Sequence, residues 1–156
     1  MKSLLISKFT IFTAALWWGT LTTLGFFVVP MLFQHLPTKA LAGNMAARLF
    51  EMQTLVSVVC SVVLLLLLLL LRSKNLNTLE NDTNPARAGV FIAYDAIIFV
   101  ALGMLMALLV TFGASPRIVA RENLMLWHAV GSLMYLVQWV CAGMVLWKLS
   151  NTKQEY

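Results

Sequence analysis

Charged residues are scarce in this sequence, and their scarcity sets its broad class. Only 11% of its 156 residues are Asp, Glu, Lys or Arg, whereas 61% are hydrophobic. Soluble domains contain about 25% charged and about 45–50% apolar residues. The composition therefore excludes a water-soluble globular protein and indicates an integral membrane protein. The net charge of +5 does not predict nucleic-acid binding, because the basic residues are scattered through short loops.

Cysteines and catalytic motifs are scarce as well. The two cysteines, Cys60 and Cys141, lie in apolar stretches without Cys-x-x-Cys spacing, so they predict neither a disulfide framework nor a zinc site. Small buried side chains are the simpler interpretation of both. We find no paired carboxylates, no phosphate-binding loop and no nucleophile beside a base. These absences favour a non-enzymatic protein.

What the sequence does contain is four long apolar stretches. A helix rises about 1.5 Å per residue, so about 20 residues cross the roughly 30 Å hydrocarbon core of a bilayer. We predict a single membrane domain, an all-α antiparallel bundle of four transmembrane helices. Residues 38–51 are less apolar and predict a short interfacial amphipathic helix after the first crossing, and residues 72–84 predict a cytoplasmic loop. The predicted transmembrane helices cover residues 9–36, 52–71, 85–113 and 123–147.

The basic residues predict how the bundle is oriented. Four crossings place both termini on one side of the membrane, and that side carries more Lys and Arg residues than the other. Positively charged loops favour the cytoplasm, so we expect a multi-pass protein of the inner membrane with both termini cytoplasmic. The basic residues on the side of the termini are Lys2, Lys8, Arg72, Lys74, Arg87, Lys148 and Lys153, and those on the opposite side are Lys39, Arg48, Arg117 and Arg121.

One face of the fourth predicted helix is polar or small. His128, Gly131, Tyr135 and Gln138 recur at spacings of three and four residues, which places them on one helix face. Lipid offers such a face no hydrogen-bond partners, so we expect it to point into protein or a water-filled cavity. The second predicted helix carries a similar line of hydroxyl residues that includes Ser57. Together the two helices predict an inward-facing polar seam.

Charged residues gather at the outer end of this seam. The residues at similar depths near the predicted extracytoplasmic boundary are Arg48, Glu51, Arg117, Arg121, Glu122 and His128. One interpretation is ordinary interfacial snorkelling with surface ion pairs, which contribute little free energy. The alternative is a vestibule that receives an anion or a metal ion above the seam.

Asp95 is the one acidic residue predicted to lie within a transmembrane helix. Inserting such a group into the hydrocarbon core costs at least about 2.5–3.5 kcal/mol, so a partner, protonation or nearby water is expected. Asp95 is then either a structural hydrogen-bonding group between helices or part of an ion or proton site.

His128 is the candidate ligand for a metal or a haem group, because neutral imidazole is a common metal ligand. Glu51 is a candidate second ligand for a copper or zinc ion. A haem would need a second histidine at a matching depth, and His35 matches that depth only loosely. A haem-binding redox protein using His128 is therefore an alternative prediction.

Several short motifs resemble the transmembrane protein 205-like family. The resemblance is carried, in chain order, by Trp18-Gly19, Pro30-x-x-Phe33-x-x-Leu36-Pro37, Arg48-Leu49-Phe50, Pro116-x-Ile118 and Trp127-His128-x-x-x-Ser132. It implies a small four-helix membrane protein with a domain of unknown function. Glu51 departs from the family pattern, which more often has a proline there, and Gln138 stands near a position where Asn is common.

Our leading prediction is a membrane protein that handles a small solute or metal ion, of the transport or resistance type, or serves as an accessory subunit of a membrane complex. We expect the lipid bilayer as its main partner, with a homo-oligomer or a partner complex as further possibilities. A purely structural subunit without a ligand is the third interpretation.

Overall fold

Four long apolar helices dominate the structure. The computed structural model describes residues 2–79 and 86–151, with side chains for residues 5–73 and 95–151. Apart from residues 36–38 and 120–123, every described residue is helical. Four helical stretches are long and apolar enough to cross a membrane, as the sequence predicts, and we call them spans 1 to 4. The spans are Leu5–His35, Lys39–Ser73, Asp95–Val119 and Leu124–Asn151.

Two of the four spans change helix type near one end. Spans 1 and 3 each contain an α-helix, a π-helical segment and a short α-helix in continuous succession. Each short helix has a proline in its first turn, Pro30 or Pro116, and proline has no N–H to donate to the preceding turn. The helices are α1 (Lys2–Thr22), α2 (Val29–His35), α3 (Lys39–Leu79), α4 (Ala86–Leu109), α5 (Ser115–Val119) and α6 (Leu124–Asn151), with π-helical segments at Thr23–Val28 and Val110–Ala114.

The predicted interfacial helix is not a separate element. Residues 39–51 are instead the first turns of α3, which continues without a break for 41 residues. Between residues 39 and 79 the sequence has no proline, and its one glycine, Gly43, does not end the helix. The predicted loop at 72–84 is likewise helical as far as Leu79, and its residues 80–84 lie outside the described chain.

Small and polar residues form the inside of the bundle, and large apolar residues cover the outside. α1 packs against α3 and α6, and α4 packs against the same two helices, which closes a ring. Trp17, Leu64 and Val100 are fully buried within this ring, whereas Phe12 and Leu133 are more than 60% exposed. A bilayer satisfies that exposed apolar surface, whereas water would not.

Candidate functional site

A buried hydrogen-bond network links spans 1, 2 and 4. The Ser57 hydroxyl, which is 0% exposed, accepts a hydrogen bond from Gln138 Nε2 at 2.8 Å and another from Gln53 Nε2 at 3.4 Å. Gln53 Nε2 also donates to Thr20 Oγ1 at 3.2 Å. These bonds compensate the cost of burying two amides and a hydroxyl away from water. The predicted approach of Ser57 and Gln138 is therefore present, and it extends onto span 1.

Two further side-chain bonds connect the spans at neighbouring levels. Thr111 Oγ1, in the second π-helical segment, donates to Thr54 Oγ1 of span 2 at 2.9 Å. Trp139 Nε1 of span 4 donates to Thr22 Oγ1 of span 1 at 2.8 Å. Each π-helical segment therefore begins close to a hydrogen bond from a neighbouring span.

Tyr135 occupies the place where α1 changes into the π-helical segment. In a regular α-helix the Gly25 N–H would donate to the Leu21 carbonyl four residues earlier. Here the Tyr135 hydroxyl donates to that carbonyl at 2.8 Å and also interacts with the Gly25 backbone. A β-carbon at Gly25 would lie only 2.6 Å from Tyr135 Cε1, so the close approach of the ring requires glycine. A side chain inserted into the backbone ladder is a known cause of helix distortion.

Beside this network lies a cavity of about 540 Å³ lined by residues of all four spans. It is lined by the C-terminal parts of spans 1 and 3 and by the N-terminal parts of spans 2 and 4, and we call this end of the bundle the cavity end. Both π-helical segments contribute to its wall, and such segments are frequent at functional sites. The lining residues are Gly25, Phe26, Val29, Phe33, Gly43, Ala46, Ala47, Phe50, Glu51, Thr54, Val110, Thr111, Ser115, Ile118, Val119, His128, Gly131, Ser132, Tyr135, Leu136 and Trp139.

The cavity wall is mostly apolar and aromatic, with few polar groups. Phe50 stacks edge-to-face on Tyr135 with ring centroids 5.3 Å apart, and Phe26 does the same on Trp139 at 5.3 Å. Glu51 is the carboxylate and His128 the imidazole among the described lining residues, and none of these residues is Lys or Arg. Chemically, the wall suits an apolar or aromatic molecule that carries one or two polar atoms.

The predicted outer cluster of charges is only partly brought together. Glu51 and His128 both line the cavity, whereas Arg48, Arg117 and Arg121 do not. Arg48 lies outside the cavity in an exposed ion pair with Glu51, with Nη1 and Oε2 3.5 Å apart. The vestibule that we predicted for an anion therefore has no arginine among its described cavity-lining residues.

Each of the other two arginines has a local role. The Arg117 guanidinium lies over the Trp127 ring, 4.3 Å from its centroid, and donates to the Gly113 carbonyl at 3.2 Å. Arg121 forms part of the tight connection between spans 3 and 4, where its φ is 56°. Its backbone is thus in the left-handed region, which L-residues adopt at a cost.

Asp95 lies at the opposite end of the bundle from the cavity. Its Oδ2 is 3.0 Å from Lys148 Nζ, so the pair joins the first turn of span 3 to the last turns of span 4. The Lys148 ammonium also lies 5.7 Å from the centroid of the Phe99 ring. Of the two interpretations of Asp95, this geometry supports a structural contact between helices.

The described residues do not assemble a metal-binding cluster. Among them, no group of three or more His, Cys, Asp and Glu side chains is close enough to hold an ion. His35 Nδ1 lies 3.2 Å from the carbonyl of Met31 in its own helix and does not line the cavity.

Comparison with protein families gives a match over most of the chain. The family described as Domain of unknown function (DUF4149) matches residues 12–126. The chain belongs to the DUF4149 family. No curated protein and no solved structure matches it. The predicted resemblance to the transmembrane protein 205-like family is supported only as far as a domain of unknown function.

The DUF4149 match divides the candidate site. It includes every cavity-lining residue of spans 1 to 3, among them Glu51 and Thr111. Tyr135, Gln138 and Trp139 lie beyond residue 126, so membership of the DUF4149 family carries no information about them.

Several participants in the candidate site were missed by the sequence analysis. Gln53, Thr20, Thr22, Thr111 and Trp139 all make hydrogen bonds between spans. A signal was available for Gln53, because it lies four residues before Ser57 on the same helix face. The threonines gave no signal, since threonine in a helix often bonds to its own backbone, as Thr10 and Thr13 do here.

Proposed function

We propose that this protein is a non-enzymatic, multi-pass inner-membrane protein that binds a small, largely apolar molecule in the cavity lined by its four spans. The observation that carries the proposal is the cavity itself. Its volume of about 540 Å³ falls in the range of about 300–1,000 Å³ that is typical of ligand sites. This function belongs to the solute-handling class, with transport or resistance as the cellular role.

The side of the membrane on which the cavity lies follows from a proposed antiparallel arrangement of the spans. The Asp95–Lys148 pair joins the start of span 3 to the end of span 4, as expected for neighbours that run in opposite directions. If the more basic side of the membrane is cytoplasmic, the termini are cytoplasmic and the cavity end is extracytoplasmic. The cavity would then receive its ligand from outside or from the outer leaflet.

The metal and haem alternatives receive less support from the geometry. Catalytic zinc sites use three protein ligands and structural sites use four, whereas the described cavity wall offers only Glu51 and His128. A haem ligated by His128 would give the purified protein a Soret absorbance band. Oligomerisation, membrane-complex partners and kinship with the transmembrane protein 205-like family stay predictions.

Photolabelling in lipid nanodiscs tests the proposed function. The probe is 3-phenyl-3-(trifluoromethyl)diazirine, a small neutral aromatic carbene precursor, and labelled residues are mapped by peptide mass spectrometry. We expect a saturable component of labelling on cavity residues such as Phe50 and Tyr135. Labelling of lipid-facing residues is expected to rise linearly with probe concentration.

A matched pair of substitutions makes this test specific. Ala47→Phe adds a ring to the cavity wall, and Ala101→Phe makes the same change at an exposed position that does not line the cavity. Saturable labelling should be lost in the first variant and kept in the second. Labelling of the wild type without a saturable component, or equal loss in both variants, would contradict the proposed function.

A further inference from the structure

We propose that the molecule bound in the cavity is a lipophilic cation, of the aryl quaternary ammonium class. This inference rests on the proposed function and adds the sign of the ligand's charge. It follows from a combination of features on the cavity wall: several aromatic rings, a carboxylate, and no lysine or arginine among the described lining residues.

Aromatic rings provide the apolar part of this recognition. Phe26, Phe33, Phe50, Tyr135 and Trp139 all line the cavity and come from spans 1, 2 and 4. A cation within about 6 Å of an aromatic ring is attracted by the ring quadrupole, and the attraction grows when water is excluded. Quaternary ammonium groups, which have no N–H to donate, are recognised by this kind of ring cluster.

The charged part of the wall has the complementary sign. Glu51 adds a carboxylate to the cavity end, and the other polar groups on the described wall include the His128 imidazole and hydroxyl groups such as those of Thr54 and Ser115. An anionic ligand would therefore meet a carboxylate and no fixed positive charge on the described wall. A cation would gain Coulomb attraction to Glu51, whose side chain is 51% exposed.

Arg48 provides an internal competitor that makes the inference testable. Its guanidinium is 3.5 Å from the Glu51 carboxylate but does not line the cavity, and its side chain is 83% exposed. Such an exposed pair contributes only about 0–1 kcal/mol, so a cationic ligand can compete with Arg48 for Glu51. Removing Arg48 should strengthen cation binding, whereas removing the Glu51 charge should weaken it.

The experiment measures how two molecules of the same shape displace the saturable diazirine label. Benzyltrimethylammonium carries the positive charge, and neopentylbenzene replaces its nitrogen by a neutral carbon. Because neutral and charged probes partition differently into lipid, each probe is compared between protein variants and not with the other probe. The variants are Glu51→Gln, Arg48→Gln and, as a control carboxylate outside the cavity wall, Glu122→Gln.

We expect Glu51→Gln to raise the half-displacement concentration of benzyltrimethylammonium by up to about fivefold, the equivalent of up to about 1 kcal/mol. Arg48→Gln should lower it, Glu122→Gln should leave it unchanged, and none of the three should change displacement by neopentylbenzene. Equal effects of Glu51→Gln on both probes, or failure of the cation to displace the label, would overturn the inference. The proposed function would survive either result, because it depends on the saturable label and not on the charge of the competitor.

Discussion

At the scale of single residues, Tyr135 has the most specific role in the structure. Its hydroxyl donates a hydrogen bond to the Leu21 carbonyl, which in a regular α-helix accepts from the Gly25 N–H. Its ring contacts Phe50 and lines the cavity. A side chain of span 4 therefore makes a hydrogen bond to span 1 beside its π-helical segment, at the cavity wall.

Tyr135→Phe should destabilise the protein by about 1–3 kcal/mol, because it leaves the Leu21 carbonyl without its side-chain donor. Unfolding free energies in mixed detergent micelles measure the effect. Ser150→Ala is the control, since it removes an exposed hydroxyl that bonds only within its own helix. If Tyr135→Phe lowers the unfolding free energy no more than Ser150→Ala does, the hydrogen bond of the Tyr135 hydroxyl does not stabilise the protein.

Helical spacing was sufficient to predict part of this network and insufficient for the rest. Ser57, Tyr135 and Gln138 follow from period and polarity, because a line of polar residues in an apolar helix needs protein partners. Arg117 and Arg121 could not be assigned in this way. Their surroundings depend on the Trp127 ring and on the left-handed backbone of the connection, and neither has a pattern in the sequence.

At the scale of elements, close helix packing depends on a few small residues. A β-carbon at Gly103 of span 3 would lie 2.7 Å from Trp17 Cη2 of span 1 and 3.3 Å from Cys141 Cβ of span 4. At Gly19 of span 1, by contrast, a β-carbon would meet nothing within 4 Å in the described chain. The same residue type thus has different consequences at the two positions.

Gly103→Ala should destabilise the protein by about 1–3 kcal/mol, because fully buried Trp17 has no room to move away from the added methyl group. Gly19→Ala should be neutral or stabilising, since alanine favours the helix by up to about 1 kcal/mol over glycine. The same micelle unfolding assay compares the two variants. Similar effects of both substitutions would contradict the proposed packing of Trp17 on Gly103.

The ends of the helices were easier to predict where the sequence changes sharply from apolar to polar residues than where it changes gradually. Loss of the apolar pattern after Gly113 and its return at residue 123 bracket the connection before span 4, although span 3 continues six residues further, to Val119. The step from residue 51 to 52 has no helix-breaking residue, so the change in polarity there does not end α3. The π-helical segments have no sequence signature beyond the prolines that follow them.

At the scale of the whole molecule, the spans pack tightly at one level and separate at another. Ala14, Trp17, Leu64 and Val100 form a closed apolar core, whereas the cavity lies between the spans at the cavity end. The sequence predicted an inward polar seam there but not its volume, because volume depends on how four helices pack together. Glu51 and His128 were predicted as candidate metal ligands, and the structure places both on the largely apolar wall of this cavity.

The most direct test of the cavity as a binding site is the anomalous diffraction of crystals soaked in iodobenzene. The iodine atom reports its own position, and the ring resembles the apolar part of the proposed ligand. We predict the strongest iodine peak between Phe50 and Trp139, inside the cavity, and its disappearance in crystals of Ala47→Phe. Iodine peaks confined to the outer, lipid-facing surface of the bundle would contradict the account.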